Sequence, residues 1–197
     1  LLIKILKKKG LNYSHALITA KALINAEMVG AYSHGLSRLK MYCDRLSKKV
    51  INPKPKIKIR KISPSISHID ADDSIGFFAS DIGIKKAIDN AKKTGIGLVA
   101  IKNSGHYGLS GYYAEQAVKK NLITMIFTNA PPAVAPHGAL KSLFGTNPIC
   151  FGCPSGSKIP FIFDTSISMI NRGKIRFAAK NNQKIPENVA LDKFGKP

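Results

Sequence analysis

The sequence predicts a domain of the α/β class, because segments typical of strands alternate with segments typical of helices. Residues 96–102 and 122–128 are apolar runs of strand length, and residues 109–121 between them have helical periodicity. Such a strand–helix–strand unit predicts two parallel strands joined by a right-handed crossover. With 197 residues, 44% of them hydrophobic, the chain is long enough to bury a core.

Four elements are predicted before this unit. Residues 11–30 have apolar side chains at three- and four-residue spacing and predict a helix that Gly30 ends, and residues 31–46 predict a turn that continues as a helix. Residues 51–67 alternate lysine with isoleucine and contain three prolines, which indicates an exposed edge strand or a connector. Residues 81–95 predict a helix that ends near Gly95.

Four further elements are predicted after the unit. Residues 129–148 are rich in proline and glycine and predict a long loop, which in a compact domain is usually functional or disordered. Residues 149–153 and 160–164 predict strands, and residues 166–183 predict a helix.

The net charge of +20 is the strongest feature of the composition. A basic chain can bind nucleic acid, but here 26 lysines and 5 arginines are scattered and do not interleave with aromatic residues. We therefore attribute the positive charge to the codon composition of an AT-rich genome. Nucleic-acid binding stays open as the alternative explanation. The charge would still attract anionic substrates and cofactors.

The cysteines and the apolar runs bear on the cellular compartment. Three cysteines give no disulfide framework, so we expect a reducing cytoplasm. Cys150 and Cys153 have the spacing of half a zinc site but lie in an apolar run, so we expect core packing and no metal. No run of 18 apolar residues occurs, and no membrane span is predicted.

The turn between the first two strands carries a candidate catalytic histidine. Gly105, Gly108 and Gly111 have the spacing G-x-x-G-x-x-G, and the next strand does not end in an acid, so the turn does not match the dinucleotide fingerprint of a Rossmann fold. The N-terminus of the helix that follows can still hold an anion. His106 is either a proton carrier, because imidazole titrates near neutral pH, or a turn residue bonded to nearby backbone.

Two further groups of polar residues have an ordinary and a functional interpretation. Ser33, His34 and Arg38 could bind a carboxylate, with Arg38 as a bidentate donor, or they could be a helix cap and a surface arginine. Asp164 follows an apolar strand and could accept hydrogen bonds from a ribose or cap a helix. Thr146 and Asn147 alone indicate only a turn.

Six segments of the chain form a recognisable series when taken in order. They are "SHGLSR", "NSGHYGLSGYYAEQA", "TNAPPAVAPHG", "GTNPICFGCP", "FIFDTSISMINRGKI" and "IPENVALDKFGKP". Together they resemble the malate/L-lactate dehydrogenase family, which also includes ureidoglycolate, sulfolactate and cyclic-imine-carboxylate oxidoreductases. The resemblance extends from near residue 11 to the last residue and implies an α/β fold of the sulfolactate dehydrogenase type that is not Rossmann.

The resemblance also implies an activity and a set of site residues. It implies an NAD- or NADP-dependent oxidoreductase that moves hydride between the nicotinamide and C2 of a small 2-hydroxy or 2-oxo acid, and that forms a homodimer. The catalytic proton carrier maps to His106, and the substrate-binding residues map to Ser33, His34, Arg38 and Tyr42. The cofactor-binding residues map to Ala130, Asp164, Thr165 and Ser166, with Thr146 and Asn147 as further lining residues.

The chain departs from the pattern of the family in three ways. Tyr32 stands where the family usually has Asp, and Ser74 and Phe77 stand where Gly and Gln are frequent. Family chains are also longer, so we expect this chain to be truncated at its C-terminus and to lack a cofactor-contacting motif. We predict a substrate-binding helical segment over residues 1–60 and an incomplete cofactor-binding and catalytic region over residues 61–197. An inactive remnant of such an enzyme is the alternative.

Overall fold

The computed structural model describes residues 1–192 and 194–196, and it has two small β-sheets where the sequence predicted one parallel unit. Three helices, α1 (Leu2–Lys8), α2 (Tyr13–Met28) and α3 (Leu39–Ser47), come first, with two short 3₁₀ turns at Tyr32–His34 and Leu36–Arg38. The side chain of Asn12 caps α2 by accepting from the His15 N–H.

The first sheet consists of β1 (Lys58–Lys61), β2 (Ile66–Ser74) and β3 (Leu98–Ser104) in that order. β1 is antiparallel to β2, and β2 is parallel to β3 through α4 (Gly76–Thr94). All four residues of β1 are exposed, which confirms the predicted edge strand. Gly95 ends α4 in the left-handed conformation at φ +83°, also as predicted.

The second sheet is antiparallel and consists of β4 (Thr124–Phe127), β5 (Ile149–Cys153) and β6 (Phe161–Thr165). Helix α5 (Ser110–Val118) packs on one face of this sheet. On the other face, aromatic and sulfur-containing side chains are more than half exposed; these are Met125, Phe127, Phe161 and Phe163.

The predicted parallel pairing of the strands around α5 is wrong. β3 pairs with β2 in the first sheet, whereas β4 pairs with β5 in the second. Exposed residues alternate with less exposed ones along much of β3 and all of β4, which is typical of strands with one open face. The apolar runs that predict these two strands do not specify their partners, and each strand pairs with another segment of the chain.

The predicted helix over residues 166–183 is shorter in the structure. Helix α6 (Arg172–Lys180) begins only after Asn171, whose side chain accepts from the Lys174 N–H at 2.9 Å. Ser166 and Ser168 donate their hydroxyls to the carbonyls of Ser168 and Ile170, and such bonds compete with helix formation.

The main core lies between the N-terminal helices and α4. Its buried members are the apolar residues of α1, α2 and α3 together with the start of α4, and they include Leu6, Leu23, Leu46, Ile75 and Phe77. A smaller cluster joins α4 to α5 through Ile84, Ile88, Tyr113 and Ala117. The division of the chain near residue 60 stays a prediction.

Cys150 is fully buried in β5, which confirms the predicted core packing of that cysteine. Among residues 1–192 and 194–196, no group of three or more His, Cys, Asp or Glu is placed to hold a metal ion. In the same residues, no helix has both the length and the apolar character needed to cross a bilayer.

Candidate active site

The turn that carries His106 is held against the start of α4 by a contact between two backbones. A Cβ on Gly76 would lie 2.5 Å from the His106 carbonyl oxygen and closer still to that of Gly105. Only a glycine at position 76 therefore allows this approach. The turn follows β3 and precedes α5, so His106 lies in the connection between the first sheet and the helix that packs on the second sheet.

Tyr42 lies directly behind the imidazole of His106. The Tyr42 hydroxyl is 2.7 Å from Nδ1 of His106, and the Gly108 N–H donates to the same nitrogen at 3.2 Å. Both contacts form together only when Nδ1 carries no proton, so the proton of neutral His106 is on Nε2. Tyr42 is fully buried and packs edge-on against Phe77, with 5.1 Å between ring centres.

The predicted substrate-binding residues of the two 3₁₀ turns lie beside His106. The His34 ring is stacked with the His106 ring at 5.7 Å between centres. The Ser33 hydroxyl is 2.9 Å from Nδ1 of His34, and Arg38 Nε donates to the Ser33 carbonyl at 2.7 Å. Ser33 therefore does not cap a helix with its side chain. The four residues His106, His34, Ser33 and Arg38 form one connected group, which we call the His–Arg cluster.

Tyr42 differs from this group, although the sequence predicted it on the substrate side with the others. Its side chain has no exposed surface, so it contacts His106 from within the core, and its substrate-binding role stays a prediction. The reason is its position on α3, where the hydrophobic face is packed on Phe77 and α4.

Burial and positive charge keep the imidazoles of the cluster neutral. Burial, together with the charges of His34, Arg38 and Arg45, lowers the pKa of His106 to about 3. Burial and Arg38 lower the pKa of His34 to about 4. Burial also raises the pKa of Tyr42, so its hydroxyl keeps its proton.

Asp164 does not cap the helix that follows it in sequence. Its Oδ2 accepts from the Gly111 N–H at 2.7 Å, so the carboxylate lies at the N-terminus of α5, the helix that packs on the second sheet. Burial raises the pKa of this carboxyl group, while backbone donation by Gly111 and Ser110 opposes the rise. The Asp164 carboxylate thus occupies the N-terminus of α5, where the sequence analysis allowed for a bound anion.

The other predicted cofactor-binding residues meet near Asp164. Asn147 Oδ1 accepts from the Ala130 N–H at 3.0 Å, and the Thr146 carbonyl accepts from the Ile167 N–H at 2.9 Å. These bonds bring the long loop beside the end of β6, where Thr165 is the last strand residue and Ser166 follows it. The hydroxyls of Thr165 and Ser166 donate to neighbouring backbone carbonyls, at 3.3 Å and 3.2 Å.

One segment connects the two groups of residues. It begins at Asp164 on the N-terminus of α5 and ends at Gly173 in the first turn of α6. A Cβ on Gly173 would lie 3.0 Å from Ser33 Cβ and 3.1 Å from Arg38 Nη2, so α6 packs closely on the His–Arg cluster.

Sequence reasoning missed four residues that shape this site. Gly76 and Gly173 provide the close approaches, and Arg45 and Arg176 add positive charge near Arg38. For the glycines, single residues in helical segments gave no signal that distinguished them. For the arginines, their scarcity among so many lysines was the available signal.

These features define a class of protein: an α/β protein with one parallel strand pair among its described strands and a polar site between a histidine turn and an arginine-bearing turn. The chain belongs to the malate/L-lactate dehydrogenase family, whose model matches residues 1–197.

Individual relatives agree with this membership. The chain is 42% identical over its full length to L-sulfolactate dehydrogenase of Methanocaldococcus jannaschii, and it covers 57% of that protein. It is 39% identical over 98% of its length to malate dehydrogenase of Pyrococcus abyssi and covers 53% of it. The chain therefore spans little more than half the length of these curated relatives.

Solved structures show the same fold. The sulfolactate dehydrogenase from M. jannaschii superposes with a TM-score of 0.90 at 41% identity, over all of this chain and 57% of that one. Malate dehydrogenase from Entamoeba histolytica superposes with a TM-score of 0.95 at 33% identity, over all of this chain and 55% of that one.

Proposed function

We propose that this protein is an NAD- or NADP-dependent oxidoreductase that transfers hydride between the nicotinamide and C2 of a small 2-hydroxy or 2-oxo acid. The observation that carries the proposal is the His–Arg cluster, in which a neutral imidazole and a guanidinium stand side by side. Relatives named as malate and L-sulfolactate dehydrogenases support this class of substrate.

The residues present fit a dinucleotide by the chemistry of their donors and acceptors. Hydroxyls of Thr146, Thr165 and Ser166, the Asn147 amide and the Asp164 carboxylate are groups that bind ribose hydroxyls and a carboxamide. When bound, the cofactor supplies the hydride chemistry. One relative is named as a (2R)-3-sulfolactate dehydrogenase that uses NADP⁺ and another as a ureidoglycolate dehydrogenase that uses NAD⁺, so the proposal includes both cofactors.

His106 is the proposed catalytic residue. With its proton on Nε2, the neutral imidazole can hydrogen-bond to the carbonyl oxygen of a 2-oxo acid, and once protonated to imidazolium it would give a proton to that oxygen as hydride reaches C2. Tyr42 and Gly108 hold the ring from the Nδ1 side. Burial is the largest cause of the depressed pKa of His106, and an acid bound at Arg38 would offset the second cause, the nearby positive charge. Substrate binding is therefore expected to raise that pKa towards the range in which imidazole exchanges protons.

Arg38 is the proposed carboxylate-binding residue, assisted by Ser33 and His34. Its Nε already donates to the Ser33 carbonyl, which fixes the plane of the guanidinium and leaves its terminal nitrogens for the acid. A carboxylate held there orients C2 relative to His106, which is the positional contribution to catalysis.

The experiment is oxidation of NADH and of NADPH by the purified chain with a panel of 2-oxo acids. We expect His106→Gln to lower turnover by about 10²–10⁴-fold, the usual value of general acid–base catalysis. His68→Gln is the matched control, because His68 is exposed on β2. Equal turnover in the two variants would remove His106 from the mechanism.

We also propose that the chain forms a homodimer in the cytoplasm. The open face of the second sheet, with Met125, Phe127, Phe161 and Phe163 exposed, supports association, because contiguous apolar surface of this kind is usually covered. Sedimentation at several concentrations tests the assembly, and a monomer at high micromolar concentration would contradict it.

A second candidate is an inactive chain that retains the family fold without turnover. The same open apolar face favours it, because an uncovered apolar sheet leaves the site without full support from packing. In that case the chain would bind an apolar dye, unfold with low cooperativity and oxidise neither cofactor with any acid.

A further inference from the structure

Three of the five arginines in the chain converge on one place. Burial lowers the pKa of Arg38, and the charges of Arg176 and Arg45 lower it further. The charge of Arg45 also lowers the pKa of His106. The chain has 31 basic residues, mostly lysine, so this grouping of arginine is a local feature and does not follow from the overall composition.

The packing of α6 brings Arg176 to this place. Gly173 has no side chain, and the Cβ position on its backbone lies 3.1 Å from Arg38 Nη2. Arg176 follows three residues later, which is nearly one helical turn, so it leaves α6 on the side that faces Arg38. Arg176 is exposed, so its guanidinium is free to reach a bound molecule.

The structure gives these arginines no carboxylate partner. In residues 1–192 and 194–196, each of the four ion pairs joins a lysine to an acid, and none includes Arg38, Arg45 or Arg176. Arg38 donates instead to a backbone carbonyl. Guanidinium groups gathered without a counter-charge fit an anion that carries more than one negative charge.

We propose that Arg176 is a specificity-determining residue that binds the second anionic group of a dianionic 2-hydroxy acid, either a carboxylate or a sulfonate. This inference rests on the proposed function, in which Arg38 holds the first carboxylate. Arg176 then separates acids with two charges from acids with one, because a single-charged acid such as lactate offers it nothing to bind.

The experiment measures binding of (S)-malate and (S)-lactate by calorimetry, with saturating NADH so that no turnover occurs. The proteins are the full chain, Arg176→Gln and Lys174→Gln. The last is the matched control, because it removes one charge from an exposed position on the same helix. Arg176→Lys tests whether charge alone restores binding.

We expect the full chain to prefer malate, and Arg176→Gln to weaken malate by about tenfold, the loss of one charge-assisted hydrogen bond. Lactate should change by less than about twofold, Lys174→Gln should match the full chain, and Arg176→Lys should recover part of the loss. Equal weakening of both acids by Arg176→Gln, or no weakening, overturns the role of Arg176. Equal affinity of the full chain for both acids also overturns it and leaves the proposed function standing. Binding of neither acid by the full chain overturns both.

Discussion

Replacing Gly76 by alanine tests whether a backbone contact positions the catalytic turn. The added Cβ would lie 2.5 Å from the His106 carbonyl oxygen and 2.6 Å from its carbonyl carbon. Ordinary contacts of this kind need about 3.5 Å, so α4 and the turn must separate by at least about 1 Å. Forcing atoms into a packed site costs about 1–3 kcal/mol, and main-chain atoms cannot rotate aside, so we expect the upper half of that range.

The assay is urea unfolding followed by circular dichroism, since the chain contains no tryptophan. Gly156→Ala is the control, because a Cβ there meets nothing within 4 Å and the residue has no positive φ. We expect Gly76→Ala to lower the free energy of unfolding by about 2–3 kcal/mol and Gly156→Ala to change it by less than about 0.5 kcal/mol. Matching midpoints and slopes for the two variants would refute the reasoning.

Three more predictions follow from the site. Tyr42→Phe removes the hydroxyl at Nδ1 of His106 and should raise the pKa of that imidazole in an NMR titration, because the neutral form loses a donor; an unmoved titration would contradict the bond. Asp164→Ala leaves the Gly111 N–H without its acceptor and should cost about 0.5–2 kcal/mol in urea unfolding, whereas unchanged stability would make the contact incidental. The free energy of unfolding should fall as pH drops from 6.5 towards 4. His34 and His106 bind protons with a pKa near 6.5 in the unfolded chain, but with pKa values of about 4 and about 3 in the folded chain. A flat profile over that window would show that both imidazoles protonate freely in the folded protein.

Much of the site was accessible from the sequence, because short motifs keep their residues together locally. The turn around His106 and the segment from Ser33 to Arg38 are each a few residues long, so the sequence alone identifies both motifs. The edge strand β1 and the end of α4 at Gly95 were also predicted, since lysine–isoleucine alternation and a terminal glycine act within one element.

What the sequence missed depends on contacts between distant segments. The partner of β4 is β5, across a long loop, and apolar runs alone do not say which strands pair. The role of Asp164 depends on Gly111, 53 residues away, and the burial of Tyr42 depends on α4. The serines after β6 make side chain–backbone hydrogen bonds that compete with helix formation, so α6 begins later in the chain than its periodicity predicts.

The low pKa values of His34 and His106 have a consequence for how ligand binding and protonation are linked. Near neutral pH both imidazoles are uncharged, so the positive potential around them comes from guanidinium groups and stays constant across the physiological range. An acid that docks there partly cancels this potential and makes protonation of His106 easier. Uptake of a proton from the buffer should then accompany docking, so that the empty site holds a neutral imidazole and the loaded site an imidazolium.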